Sequence, residues 1–408
     1  MRKLLENTFM LYIMKFAGYF FSLLTIPYQT RVLDKEYYGV LVLAISVMFY
    51  FQLIIDFGFM ITGVAEVAKN INNKDRVSYI MTKVLAIQLI LMIVSLGGLS
   101  VLLGVIDNYS KWKMVFYLFF AAVCVEAWMP AFLFRGMEDM RKITMLSLVS
   151  KALATSLVFV FVKDNATYWM VPVCRLLGGM ASLAIAWCLV VYKYHLRLVK
   201  VSVKDMWKSA RESFGYFISR ISGCIYGGGN VAIMGTMYSA AYIAVYSNAE
   251  KLMHVGMSVS SPIADSLLPH IARSKDYSAA FKLIKWSAPF IVGAGVIGFI
   301  FAEPIVTLIF GQEYAGSADV LRILIPVMAI TLPNYIIAFP VLVPMGLGQH
   351  SNLANIIGSV VYISCVVGLL SVGKFNMYTA SATLLITEFI VMSYRCSLLF
   401  FYRKRLHG

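Results

Sequence analysis

The sequence predicts an all-α polytopic membrane protein of about twelve transmembrane helices. Three observations predict it. The 408 residues are 60% hydrophobic and only 13% charged, more apolar than a soluble domain of this size needs. Apolar runs follow one another almost end to end, each near the ~20 residues that carry a helix across a bilayer's hydrocarbon. The runs are continuous, whereas an outer-membrane barrel shows short segments of alternating polarity.

In chain order the expected spans are 8–30, 38–62, 80–105, 114–134, 143–162, 167–192, 213–236, 240–267, 283–310, 319–345, 352–373 and 377–401. The first follows Arg2 and Lys3, lacks a small-residue cleavage site and exceeds a signal-peptide core, so it reads as a retained helix. Short polar loops separate the others. The longest, KYHLRLVKVSVKDMWKSARE over 193–212, falls at the midpoint. This gives a bundle of six helices over 1–192, a basic linker over 193–212 and a second six-helix bundle over 213–408.

Net charge of +15 suggests nucleic acid in a soluble chain; here it reports orientation, because cytoplasmic loops collect Lys and Arg. With the N-terminus inside, the inner segments hold 22 cations, six of them between Lys193 and Arg211, against 6 outside. Both termini are therefore expected in the cytoplasm. The halves align at an offset near 204 residues, which brings Lys15 within one position of Arg220. Two such halves form a parallel repeat about a pseudo-two-fold along the membrane normal. In transporters of that kind the site lies between the halves and access alternates as one rocks on the other. Cys124, Cys174, Cys188, Cys224, Cys365 and Cys396 lack CxxC spacing and read as packing residues.

Several stretches resemble the polysaccharide-export flippases, the Wzx group of the multidrug/oligosaccharidyl-lipid/polysaccharide exporter superfamily (MOP, with the MATE transporters). They are Asn7 to Gly39 with IPYQTRVLDKEYYG, QLIIDFGFMITG (52–63), PAFLFRGMEDMRK (130–142), VYSNAEKL (245–252), FGQEYAGSADVLRIL (310–324) and MGLGQHSNLANIIG (345–358). Their order covers nearly the whole chain. Asp34 stands where the family more often has glycine. The resemblance implies a twelve-helix inner-membrane flippase, which turns undecaprenyl-diphosphate-linked O-antigen or polysaccharide repeat units from the cytoplasmic to the periplasmic leaflet in lipopolysaccharide assembly. It acts there beside a polysaccharide polymerase and a chain-length regulator.

Charges inside apolar helices are costly and mark candidate sites. Diphosphate asks for cations, and Arg suits it through its fixed fork of donors. Lys15, Arg175, Arg220 and Lys251 are mid-helix cations; Arg31 and Arg322 lie near outer helix ends, where snorkelling to headgroups competes with binding. Tyr12 and Tyr216 neighbour Lys15 and Arg220 and are candidates for glycan contact, as is Tyr19. Asp56, Glu126, Glu250 and Glu388 are candidates for coupling transport to proton or sodium flow, the alternative being internal salt bridges such as Glu126 with Arg175. Lys151 and Arg395 stand close enough to helix ends to be left aside. Eight of the eleven prolines lie in the C-terminal half. Pro326 and Pro333, with Pro340 and Pro344, make the tenth span a bending element, and Gly228 within Gly227–Gly229 is a second hinge candidate. The five histidines lack ligand spacing, so no metal or cofactor is expected.

Two other functions fit the composition. A multidrug or organic-cation antiporter of the same superfamily asks for an acidic or apolar cavity. An O-antigen polymerase or ligase asks for a long periplasmic loop. Cations in core helices and short outer loops favour the flippase.

Overall fold

The computed structural model describes residues 2–402, without the side chains of residues 2–8, 11, 15, 19, 219, 222, 223, 225, 226, 269 and 270. Every element among them is helical. The first eight helices are α1 (Arg2–Val32), α2 (Lys35–Asp56), α3 (Phe59–Lys69), α4 (Lys74–Val105), α5 (Asp107–Ser110), α6 (Lys113–Ala127), α7 (Ala131–Gly136) and α8 (Met140–Phe161). Then come α9 (Met170–Cys188), α10 (Val203–Gly235), α11 (Ala240–Ser258), α12 (Ser260–Ser274), α13 (Ser278–Ile300), α14 (Ala302–Phe310), α15 (Ser317–Ile336), α16 (Gly348–Ser371) and α17 (Met377–Phe401). Single π-helical turns extend α9 over Leu189–Lys193 and α15 over Ile337–Val341.

Among the described residues, nine helical stretches are long and apolar enough to cross a bilayer. The other expected spans, 8–30, 213–236 and 240–267, are helical as well, over α1, α10 and α11–α12. Backbone satisfaction explains why helices are the only regular structure here: hydrocarbon offers no partner for an unpaired amide. The lipid-facing surface is visible on α13, where Trp286, Phe290, Val292, Ile297 and Ile300 are all more than half exposed. In water such a face would drive aggregation; acyl chains cover it at no cost.

The chain divides into two compact units. The first comprises Met1–Ile221 and Gly235–Ala241, the second Ser222–Met234 and Tyr242–Gly408. In the first, α8 packs on α1 and α9, α6 on α9 and α2, and α3 on α7. Its core gathers Phe59, Val67, Ile80, Val84, Phe132, Phe134 and Leu146. Gly178 of α9 lets the α8 backbone approach: a Cβ there would stand 3.0 Å from that of Ala154. In the second unit, α15, α16 and α17 pack together and α12 lies on the π-turn after α15, around Ile271, Ile336, Val341, Leu342 and Leu398.

The helices break where the backbone cannot continue. The second expected span is divided at Phe57 and Gly58, both left-handed at φ 41° and 81°. The fourth is divided around Pro130, whose ring denies an amide to the next turn. The glycine run does not interrupt its helix: α10 passes through Gly228 unbroken. In the tenth span Pro326 and Pro333 lie inside α15, and the π-turn with Pro340 follows.

A charged cluster within the membrane-spanning helices

The break after α2 builds the first part of the site. Asp56 is the last residue of α2, and the left-handed turn beyond it admits α10. A Cβ on Gly58 would come within 2.9 Å of the Ser213 carbonyl oxygen and 3.2 Å of Tyr216 Cβ. Phe57 stacks on Phe217 with centroids 4.9 Å apart, and the Thr62 and Ser213 hydroxyls are hydrogen-bonded at 2.7 Å. With α10 so seated, Arg220, one turn past Tyr216, brings Nη1 to 3.4 Å from Asp56 Oδ2. Arg220 keeps 40% of its side-chain surface exposed and Asp56 15%. Arg135, on α7, lies within electrostatic reach of both. Its Nε is enclosed without a hydrogen-bond partner.

The second part lies between α6, α8 and α9. Arg175 meets Glu126 through two bonds, Nε to Oε1 at 2.7 Å and Nη2 to Oε2 at 2.8 Å. Lys151 acts electrostatically on this pair, and its Nζ lies over Gly18 of α1, 2.8 Å from where a Cβ would be. Glu126 in turn acts on Asp56, which links the two parts. Four cations and two carboxylates thus gather within the first unit, an excess of two positive charges inside apolar helices.

Other expected site residues are held locally. Arg175 and Glu126, expected respectively as an open cation and a coupling carboxylate, are each other's partner, the arrangement the sequence left as the alternative. Arg322 bonds Asp319 at 2.7 Å and the Phe299 carbonyl at 3.3 Å, with its guanidinium 5.9 Å from the Phe299 ring centre. Arg31 is exposed in the last turn of α1. Tyr12 is half-buried on α1 and Tyr216 exposed on α10. The side chains of Lys15 and Tyr19 lie outside the described residues.

The second unit holds its own buried polar groups. Tyr362 donates to Asn230 Oδ1 at 2.6 Å, Asn230 Nδ2 donates to Tyr246 at 2.7 Å, and Tyr246 donates to Glu250 Oε1 at 3.4 Å. Lys251 stands beside Glu250, half-buried. His254 hydrogen-bonds the Gly227 carbonyl, next to Gly228. Further along, Asn334 donates to Glu388 Oε2 at 3.1 Å and accepts from Arg395 at 2.5 Å, while Arg395 also donates to Asn355 at 2.9 Å. Glu388 and Arg395 are both buried.

The sequence left Lys151 and Arg395 aside and counted Arg135 among the cytoplasmic cations; Arg395 is buried, as is Glu388, while Arg135 and Lys151 are half-buried in the first unit. Arg135 counted as a loop cation because the apolar run ends at residue 134; Pro130, which sets α7 apart from α6, was the signal. For Arg395 the signal was its seven-residue spacing from Glu388, two helical turns on one face.

The fold is that of the MOP-superfamily membrane transporters. It resembles an inward-facing multidrug resistance MATE family transporter of the MOP superfamily, with a TM-score of 0.72 at 14% identity over 95% of this chain and 94% of that one. It resembles the lipid II flippase MurJ in an inward closed conformation equally, with a TM-score of 0.72 at 12% identity over 96% of this chain and 88% of the other. Residues 4–275 match the model of the polysaccharide biosynthesis protein family, and the chain belongs to that family. A curated relative from Escherichia coli (strain K12), named "Putative O-antigen transporter", is 24% identical over 395 residues, 95% of this chain and 94% of its own length.

Proposed function

We propose that this protein is an O-antigen or polysaccharide transporter of the bacterial inner membrane, and that its cargo is an undecaprenyl-diphosphate-linked repeat unit carried from the cytoplasmic to the periplasmic leaflet by alternating access. The observation that carries this reading is the net positive cluster of Arg220, Arg135, Lys151 and Arg175 around Asp56 and Glu126 inside membrane-spanning helices. Diphosphate and glycan are both excluded from hydrocarbon, so a carrier must offer them charge and hydrogen bonds at depth. Family membership and the similar O-antigen transporter agree with it. An organic-cation antiporter would need the opposite sign of charge.

In this reading the protein is a transporter and not an enzyme. In it the chain makes twelve spans with both termini cytoplasmic, six before and six after the basic segment that ends where α10 begins at Val203. Proton or sodium flow drives the cycle, and the buried carboxylates Glu250 and Glu388 are the coupling candidates; polymerase and chain-length regulator receive the product. Deletion of the gene in its own host tests the reading: lipid-linked repeat units should accumulate on the cytoplasmic leaflet and surface polysaccharide should be lost. Unchanged surface polysaccharide in the deletion strain would refute it.

A further inference from the structure

Where α12 gives way to α13, the second unit carries a basic cavity. α12 stops at Lys275, which takes a left-handed conformation at φ 52°, a position where glycine is usual. The turn is closed from within: the Ser274 hydroxyl accepts from the Asp276 amide at 3.2 Å, and Asp276 Oδ1 accepts from the Ser278 amide at 2.9 Å. α13 then sets Ser278, Phe281, Lys282 and Lys285 three and four residues apart, on one face of its opening turns. These four, with the turn residues from Lys275 to Tyr277, line a cavity of about 650 Å³. Three lysines line it against one carboxylate, that of Asp276, a surplus of two positive charges.

The same face of α13 runs on into hydrocarbon. Steps of three and four residues from Lys285 lead through Pro289 to Val292, Val296 and Phe299, and each of these last three is more than half exposed. The stripe is apolar throughout. Trp286, next to Lys285, is 74% exposed and is the residue type that sits where headgroups meet acyl chains. Basic pockets beside spanning helices on the cytoplasmic side attract anionic headgroups. A free phosphate would use only the lysines and an uncharged lipid only the stripe. An anionic phospholipid uses both, head in the cavity and chain along the helix.

We propose that the α12–α13 turn and the outer face of α13 form a binding site for an anionic phospholipid of the cytoplasmic leaflet, such as phosphatidylglycerol. Lys275, Lys282 and Lys285 hold its phosphate, and one acyl chain lies along Val292, Val296 and Phe299. The site belongs to the second unit alone and does not depend on what the protein carries.

The test is fluorescence quenching of purified full-length protein in detergent by phosphatidylglycerol or phosphatidylcholine brominated on the acyl chain. Trp286 is read as the difference between the parent and Trp286→Phe. Phosphatidylglycerol should reach half-quenching at a concentration about tenfold or more below that of phosphatidylcholine. Lys282→Gln and Lys285→Gln should each raise that concentration about fivefold, the effect of one cation at an anionic surface, and the double variant should erase the preference. Lys282→Arg/Lys285→Arg keeps both charges and should retain it. Lys275→Gly should also weaken binding about fivefold, yet raise the unfolding midpoint, because glycine adopts the left-handed turn without strain. Lys200→Gln/Lys204→Gln, among other cations expected on the cytoplasmic side, should bind as the parent does. Equal quenching by the two lipids, or a preference that survives Lys282→Gln/Lys285→Gln, overturns the site. A loss of the same size in Lys200→Gln/Lys204→Gln also overturns it, since bulk charge then accounts for the preference. Inorganic phosphate that relieves quenching as well as unbrominated phosphatidylglycerol does would assign the cavity to a free anion and remove the lipid.

Discussion

Gly58 shows how one residue places a charge: it follows Asp56 closely and lets α10, which carries Arg220, approach the end of α2. Its φ of 81° and the 2.9 Å approach of the Ser213 carbonyl admit no side chain. Gly58→Ala should cost about 1–2 kcal/mol for the left-handed conformation alone, with more from the displaced α10. Chemical unfolding in detergent should register the loss, and a variant as stable as the parent would show that α10 is not seated by this contact. For the Arg175–Glu126 pair the expectation is different. Removing one partner leaves a charge uncompensated in low dielectric, a loss of roughly 3–5 kcal/mol for buried pairs and less here, where each side chain keeps about 30% of its surface exposed. Replacing both by glutamine should recover most of it, since neither neutral side chain then lacks a counter-charge. Unfolding midpoints of Glu126→Gln, Arg175→Gln and the double variant measure this, and additive losses would exclude a strut.

Helices in this protein bend at sites with a covalent reason. Three prolines within fifteen residues, Pro326, Pro333 and Pro340, each remove an amide donor from α15 and its π-turn. Asn334, directly after Pro333, ties the bend to Glu388 and Arg395 of α17. Replacing Pro333 and Pro340 by alanine restores two amides, so hydrogen exchange over 334–342 should slow and transport should fall. Exchange that is unchanged would show that the prolines do not set the bend. The three glycines of α10 behave otherwise: a Gly run lowers helix propensity, yet intrahelical bonds persist through it, because in hydrocarbon an unsatisfied amide costs more than the propensity lost.

Across the whole chain, charge sets direction. Six cations between Lys193 and Arg211 and the basic residues Arg273, Lys275, Lys282 and Lys285 should face the cytoplasm, with Lys111, Lys163 and Lys374 outside. In a cysteine-free background, a membrane-impermeant maleimide applied to intact cells should label Lys163→Cys and spare Lys200→Cys. The reverse pattern would invert the topology. Residues 203–212, expected in the linker, already belong to α10, so the polar connection is shorter than composition suggests.

Amino-acid order by itself determined that this is a helical membrane protein and where most of its spans begin and end, because hydrocarbon thickness and the need to satisfy every backbone amide act on any such chain regardless of packing. The ends of the last span, 377–401, coincide with α17, since an Asn376 cap and a polar terminus bound a simple apolar run. Tertiary structure alone decided which charges are already matched. Glu126 and Arg175 are 49 residues apart, Asp56 and Arg220 164, and no periodicity within one helix reports the rotation of its neighbour. That rotation, fixed by close approaches at Gly58 and Gly178, closes one pair tightly and leaves the other long.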